Sequence, residues 1–205
     1  MVTILKYSYL GLRKVVRIIS SFLSYSLTYV KFLVFDVEFS SFKTRGIPVI
    51  DIYDNGKLII GSGFNMNNGQ RHNMIGRQQN CFFIANNSGV IRIGKNVGIS
   101  ATAIHCNRSI VIGDNVRIGG NTVIYDTDFH SLDYNKRISN TETMADVRVS
   151  EVVIEDNVFI GAHSTILKGV TIGKNSIVGA GSVVAKSIPA NEIWGGNPVK
   201  KIRDL

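Results

Sequence analysis

Counting forward from Ile154, every sixth residue is aliphatic: Ile154, Ile160, Ile166, Ile172, Val178 and Val184. The same frame runs through Ile112, Ile118 and Ile124, and a shorter block opens with Ile93 and Ile99. Gly often follows the aliphatic residue (Gly94, Gly113, Gly119, Gly161, Gly173, Gly179). A small or β-branched residue sits four places after it: Val97, Val116, Thr122, Val158, Ser164, Ser176 and Ser182. An amphipathic helix repeats near 3.6 residues and an ordinary strand alternates at two, so neither produces a period of six. Short flat strands meeting at corners do, with the aliphatic residue pointing inward and Gly or Asn taking the tight corner conformations. Three such sides close one coil of a parallel β-helix. The stretch from Ile154 to Pro189 reads as two uninterrupted coils and Ile112 to Phe129 as a third. Between Ile99 and Ile112 the frame slips by one residue, which predicts a bulge at His105 to Ser109. Before Ile93 the pattern weakens, and Ile60-Gly61 and Ile84-Ala85 suggest irregular first coils around a polar stretch from Asn65 to Asn80.

Composition narrows the class of molecule. With 205 residues, 44% hydrophobic and 19% charged, the chain has apolar mass for one sizeable core and is not a disordered polymer. Two cysteines, Cys81 and Cys106, exclude a disulfide framework and a Cys-rich zinc module, and read as free thiols in a reducing compartment. The net charge of +8 favours an anionic partner: a phosphorylated cofactor, a membrane surface or nucleic acid. The basic residues are scattered without aromatic interleaving, and there is no Walker loop, dinucleotide fingerprint or Cys/His zinc spacing, so nucleic acid has little support.

The segment from Tyr7 to Phe35 differs from the rest. Rich in Leu, Ile, Val, Tyr and Phe, it places Arg13, Lys14, Arg17 and Lys31 around an uncharged stretch from Ile18 to Val30, too short to span a bilayer. No small-x-small cleavage site follows the apolar run. The segment reads as one or two amphipathic helices. The preferred role is a helical cap on the domain or its oligomer; a basic interfacial helix in peripheral contact with a membrane is the alternative. The division expected is an N-terminal helical segment over 1–46, the β-helix over 47–189 and a C-terminal tail over 190–205.

The repeat breaks after Ile124. The next inward position falls on His130, and Asp128 stands where small or β-branched residues are expected. The frame resumes in phase at Ile154, so the polar segment near 131–147 should leave the coil as a loop. Rigid scaffolds carry chemistry on such loops. A neutral imidazole accepts a proton from a hydroxyl or amine near pH 7, and a carboxylate on its other nitrogen fixes the tautomer. Asp126 and Asp128 are the carboxylates at hand. The alternative is that both cap the corner where the loop departs and that His130 is a polar exit residue.

Three pieces of the chain together resemble a known group: Asp126-Thr127-Asp128-Phe129-His130, the run from Val158 to Gly173, and the ending Gly195-Gly196-Asn197-Pro198-Val199-Lys200-Lys201-Ile202-Arg203. The resemblance, from about Ile93 to Arg203, is to the left-handed parallel β-helix acyltransferases of the hexapeptide-repeat superfamily. Within it, the chain is most similar to sugar O-acetyltransferases of the maltose and galactoside type and of bacterial surface-polysaccharide clusters. It implies an all-β, left-handed hexapeptide solenoid that works as a homotrimer in the cytoplasm, transferring acetyl from acetyl-CoA to a hydroxyl of a sugar or glycan acceptor. His130 would be the general base and Ser100 a polar active-site position on a preceding coil. The CoA arm would lie in a groove between adjacent subunits, walled by Phe159, Gly161, Ala162, Ala180, Gly181 and Ala185, with Lys186, Lys200 and Arg203 facing its phosphates. Phe159 departs from the Trp often found at its position. For Gly161, Ala180 and Gly181 plain corner geometry is the competing account, and for the basic residues a solvated face.

A related branch, the gamma-type carbonic anhydrases, holds zinc with three histidines between subunits. His72, His105, His130 and His163 form no close pair of that kind, and no metal is expected. The rival functions are N-acylation of an amino sugar, acetylation of serine, and a structural or binding β-helix without catalysis.

Overall fold

The computed structural model describes residues 2–76, 79–139 and 141–205. Met1, Arg77 and Gln78 in the polar stretch, and Asn140 in the loop lie outside them. After a helix α1 (Val2–Val34), the chain winds into three parallel sheets that form the sides of a left-handed parallel β-helix. Face A carries Glu38–Phe39, Lys57–Ile60, Val90–Ile93, Ser109–Ile112, Val152–Ile154 and Thr171–Ile172. Face B carries Phe42–Arg45, Phe64–Asn67, Gly98–Ser100, Arg117–Ile118, Phe159–Ile160, Ile177–Val178 and Glu192–Gly195. Face C carries Val49–Ile52, Phe82–Ala85, Ala103–Cys106, Val123–Tyr125, Thr165–Ile166 and Val183–Val184. The last strand, Lys200–Asp204, turns back antiparallel on Glu192–Gly195 and closes face B.

The period of six is the register of these sheets. Ile112 pairs with Ile154 and Ile154 with Ile172 on face A; Ile118, Ile160 and Val178 stack on face B; Ile124, Ile166 and Val184 stack on face C. All nine are buried, and so are Val116, Thr122, Val158, Ser164, Ser176 and Ser182 four places on. Burying each aliphatic side chain contributes roughly 1.5–3 kcal/mol before chain entropy is set against it. The A–B corners are turned by Asn96, Asn115, Asn157, Asn175 and Asn191, with φ between 55° and 64°. Asn visits this left-handed region at lower cost than most L residues. Each of the first four donates its amide to the Oδ1 of the Asn one coil on, at 3.3, 3.2, 3.0 and 2.7 Å.

The one-residue slip produces no bulge between His105 and Ser109. The Ala103–Cys106 and Ser109–Ile112 strands pair with both neighbours without a break in register, and the extra length is taken up by a four-residue strand and a two-residue corner, Asn107-Arg108. In the first coils Phe83, not Ile84, points inward, in register with Ile50 and Ile104, since alternation turns Ile84 outward. The strands begin at Glu38, before the change of texture at Ile47, because the first coil is filled by aromatics rather than hexad aliphatics. Phe32, Phe39 and Phe42 form a cluster with ring centroids 4.8 to 5.6 Å apart. The polar excursion after Asn67 is stapled at its base by Asn68, which accepts from the Cys81 N–H at 2.8 Å and donates to Thr44 Oγ1 at 3.2 Å.

One continuous helix forms at the N-terminus, and only its last turns pack on the solenoid. Ser24, Thr28 and Phe32 are buried, with Ser24 Oγ accepting from the Gly46 N–H and Lys31 donating to the Pro48 carbonyl. The docked face combines small polar Ser24 and Thr28 with the rings of Tyr25, Tyr29 and Phe32, which pack on Phe39 and Phe42, while Ile19, Phe22, Leu23, Val30 and Leu33 are 53–70% exposed. Among the described residues no helix is long and apolar enough to cross a membrane.

Candidate active site

The chain leaves the coil after Tyr125 and returns at Ser150. The exit and return strands meet in a short antiparallel neck: Thr127 bridges Val149, the Asp128 N–H donates to the Arg148 carbonyl at 3.1 Å, and the Ser150 N–H donates to the Asp126 carbonyl at 2.8 Å. Phe129, at φ 64°, lays its ring edge-on against His105 and Tyr125 on the outside of face C, at 4.8 and 5.1 Å. The neck therefore holds the next residue, His130, clear of the coil. Beyond it the loop carries a short helix α2 (Tyr134–Ile138), capped by the Asp133 side chain, and a 3-10 turn over Met144–Asp146.

The His130 side chain is 71% exposed, and its Nδ1 lies 3.0 Å from Glu142 Oε2. Glu142 Oε1 accepts from the Ser131 backbone N–H. The hydrogen bond from His130 and then that from Ser131 hold the Glu142 carboxyl below its usual range. An ionised carboxylate only accepts, so Nδ1 must donate and the lone pair is left on Nε2, facing solvent. That is the tautomer a general base requires.

Neither carboxylate expected from the sequence touches His130. Asp126 is fully buried and spends both oxygens on the A–C corner: Oδ1 accepts from the Asn107 N–H at 2.8 Å, and Oδ2 from the Arg108 and Ser109 N–H groups at 2.7 and 2.9 Å and from Cys106 Sγ at 3.3 Å. Asp128 is paired with Lys168 Nζ at 2.6 Å, tying the neck to the following coil. Corner capping, the competing reading of these aspartates, is what the geometry gives Asp126. Glu142 escaped sequence reading because it stands in a loop with no period and twelve residues from its partner.

Ser100 sits on face B, where its Oγ accepts from Asn67 Nδ2 at 3.3 Å at the edge of an open groove of about 730 Å³. Phe159, half exposed, lines the same groove. Gly161 is at a corner where a Cβ would collide with the Ala180 backbone, and Gly181 turns the next corner at φ 72°, so stacking geometry accounts for both. Ala162 is half-buried, while Ala180 and Ala185 lie exposed on the outside of the coils. Lys186 lies over the Trp194 ring at 4.9 Å, and Trp194 Nε1 donates to Glu192 at 2.6 Å, an arrangement with no sequence signal. Lys200 and Arg203 are exposed on the terminal strand. His163 turns a corner at φ 62°, with Nδ1 3.4 Å from Asn121 Nδ2. Both thiols are buried and free; burial raises Cys81 to about 12, and burial followed by the Asp126 charge raises Cys106.

The fold defined by these coils is a left-handed hexapeptide solenoid with a polar loop that leaves face C after Tyr125, and comparison with known proteins agrees. The family model described as the hexapeptide repeat of succinyl-transferase matches residues 151–186. Galactoside O-acetyltransferase of Escherichia coli is 38% identical over 117 residues, 56% of this chain and 54% of the relative. A hexapeptide-repeat acetyltransferase of Vibrio cholerae, solved in complex with acetyl coenzyme A, is 39% identical over 56% of this chain and 60% of that one, with a TM-score of 0.51. The Bacillus cereus N-acyltransferase AntD, solved with dTDP and 3-hydroxybutyryl-CoA, is 25% identical over 86% of each chain, with a TM-score of 0.64. The chain is similar to acyltransferases of the hexapeptide-repeat superfamily, sugar O-acetyltransferases among them. The match spans about half the length of the curated relatives.

Proposed function

We propose that the protein is an acetyl-CoA-dependent O-acetyltransferase acting on a sugar hydroxyl, in the building or decoration of a bacterial surface polysaccharide. The observation that carries this reading is the exposed His130 with Nδ1 held by Glu142, on a neck braced against a rigid solenoid. His130 Nε2 takes the proton of the acceptor hydroxyl as its oxygen attacks the thioester carbonyl. The tetrahedral intermediate then collapses, the C–S bond breaks, and the imidazolium returns the proton to the departing CoA thiolate. Ser100 and neighbouring backbone N–H groups are the candidates for holding the oxyanion.

A homotrimer belongs to this reading. Ser100 and Phe159 stand on face B, while the His130 neck rests on face C, so one chain keeps them on different sides of the prism. Packing face B of one copy beside the loop of the next brings base and groove together, with the walls from Phe159 through Ala185 taking the pantetheine and Lys186, Lys200 and Arg203 its phosphates. Helix α1 completes the assignment as a peripheral membrane contact of a cytoplasmic enzyme. It carries five basic residues, no acidic one, and an apolar side turned away from the solenoid. A thiol-release assay over a panel of sugars tests the chemistry: acetyl-CoA turnover that needs a sugar hydroxyl and vanishes in His130→Ala supports it, and turnover unaffected by that change overturns it. The likeness to AntD over most of the chain favours one second reading, N-acylation of an amino sugar, which the same panel separates by including amino sugars.

A further inference from the structure

In-register parallel pairing stacks equivalent side chains along the outside of face B in two columns. One is Arg45, Asn67 and Ser100; the other is Lys43, Asn65, Gly98, Arg117 and Phe159. All but Arg45 wall the 730 Å³ groove, which shares Phe42, Lys43, Asn65 and Asn67 with an adjoining hollow of about 460 Å³ that is lined by Arg45 and reaches Ser21 and Tyr25 of α1. Among the described residues, the linings of both spaces include Lys43, Arg45 and Arg117 and no carboxylate. None of these three takes part in an ion pair among the described residues. The positive field extends past the groove: His72 is pushed below the usual histidine range by burial and then by Arg45, Arg71 and Arg17.

Position along the axis divides these cations between the two substrates. The positions that resemblance gives to CoA run from Phe159 toward the C-terminus. Lys43 and Arg45 lie on the opposite side of Ser100, with Arg45 two coils away, about 10 Å at the spacing of paired strands. Between them Asn65 and Asn67 offer amides, which both donate to and accept from sugar hydroxyls. Unpaired cations gathered at one end of a polar groove repel one another until a counter-charge arrives, and Arg supplies a planar fork matched to carboxylate and phosphate.

We propose that the end of the groove marked by Lys43 and Arg45 binds an anionic group of the acceptor, a carboxylate or phosphate carried on or beside the sugar that is acetylated. The ligand's identity as acceptor rests on the acyl-transfer reading above; the anion preference does not. Both side chains are exposed on a strand whose inward residues are Phe42 and Thr44, so replacing them leaves the core intact.

Calorimetric titration of the full chain tests this with three probes: a glucuronic-acid disaccharide, galactose 1-phosphate and a neutral disaccharide. We expect at least one anionic probe to bind tenfold or more tightly than the neutral one, and the two anionic arms to identify the source of the charge. The advantage should fall below threefold in the double variant Lys43→Gln/Arg45→Gln and survive in Lys43→Arg/Arg45→Lys, with the Kd for acetyl-CoA unchanged in both. Equal affinity for all three probes overturns the proposal, as does a preference that persists in the Gln variant. A weakened Kd for acetyl-CoA in the Gln variant also overturns it, by moving these cations to the CoA phosphates. Titration reads binding alone, so absence of acetyl transfer would count against the reading above and leave this result standing.

Discussion

The coils from Val152 to Ile188 and the excursion from Asp126 to Ser150 begin from the same backbone geometry and use it in opposite ways. In the coils, equivalent positions carry equivalent residues: Ile154 over Ile172, Ile160 over Val178, Ile166 over Val184. Each environment is the copy of the one before, and the stability of the region is a sum of similar increments. In the excursion the side chains that fix it each have a different partner: Asp126 the Asn107–Ser109 corner, Asp128 Lys168, Glu142 His130 and Ser131. Repetition holds the molecule together, and the departure from it places a titratable group where a substrate can reach it. Substitutions in the coils should therefore change stability without chemistry, and a substitution at His130 chemistry without stability.

The largest effect expected is at His130. Its replacement by Ala should lower kcat by roughly 10²- to 10⁴-fold and leave the melting temperature in place, since the side chain is exposed and contributes nothing to the stack. A variant that keeps most of its rate would end the assignment. In the opposite region, Ile160→Ala should cost about 2–5 kcal/mol in denaturant unfolding, because the coils above and below cannot collapse into the space. Unchanged stability there would mean that the stack is not the source of the fold's strength.

Asp126 is the residue that tests the boundary between the two regions. Asp126→Asn leaves at least one corner N–H unpaired, and we expect a loss of about 1–3 kcal/mol in stability. Its effect on kcat should be small; a rate loss comparable to that of His130→Ala, with stability unchanged, would return Asp126 to the catalytic role. Glu142→Gln should reduce kcat by about tenfold to a hundredfold with little change in the KM for acetyl-CoA, because it orients the base rather than binding substrate.

The smallest effect is one of pH. The Glu142 carboxyl is held below its usual range in the folded loop, so its tether is present above the ordinary carboxylate range and lost as pH falls through the lowered value. Proteolytic cutting between 131 and 147 should therefore rise only in strongly acidic buffer, and should already be raised at neutral pH in Glu142→Gln. Cleavage independent of both would show that Glu142 does not hold the loop.

Much of this arrangement could be read in the chain before any coordinates. A six-residue period is a statement about register, and register in a parallel solenoid is the fold; Ile112 to Val184 were therefore legible one by one. His130 stood out because it interrupts that frame. Its partner did not, since a loop carries no period and Glu142 meets His130 only after α2 folds the chain back. The aspartates misled for a physical reason: closeness in sequence to His130 says nothing about direction, and the strand alternation that continues into Asp126 turns its carboxylate inward to the corner. The first coils were poorly legible because aromatics such as Phe42, Phe64 and Phe83 fill them, and size rather than spacing sets their packing.

The asparagine seam along the A–B corners also makes the molecule a ruler. From Asn96 to Asn191 four amides each hand a hydrogen bond to the next Asn, so five successive coils present Asn at the same corner. Between Asn157 and Asn175 that requirement is met by a coil whose three strands all advance by one common step. Lengthening or shortening the solenoid there by a whole coil would rejoin the seam and all three sheets at once. A one-residue change within a strand would turn the aliphatic positions beyond it out of the core, whereas the longer coil between Asn96 and Asn115 takes up its extra residue at the Asn107-Arg108 corner and keeps the seam intact. The seam thus fixes where each corner must fall and leaves chain length free to vary only between corners, as the loop from Asp126 to Ser150 does between Asn115 and Asn157.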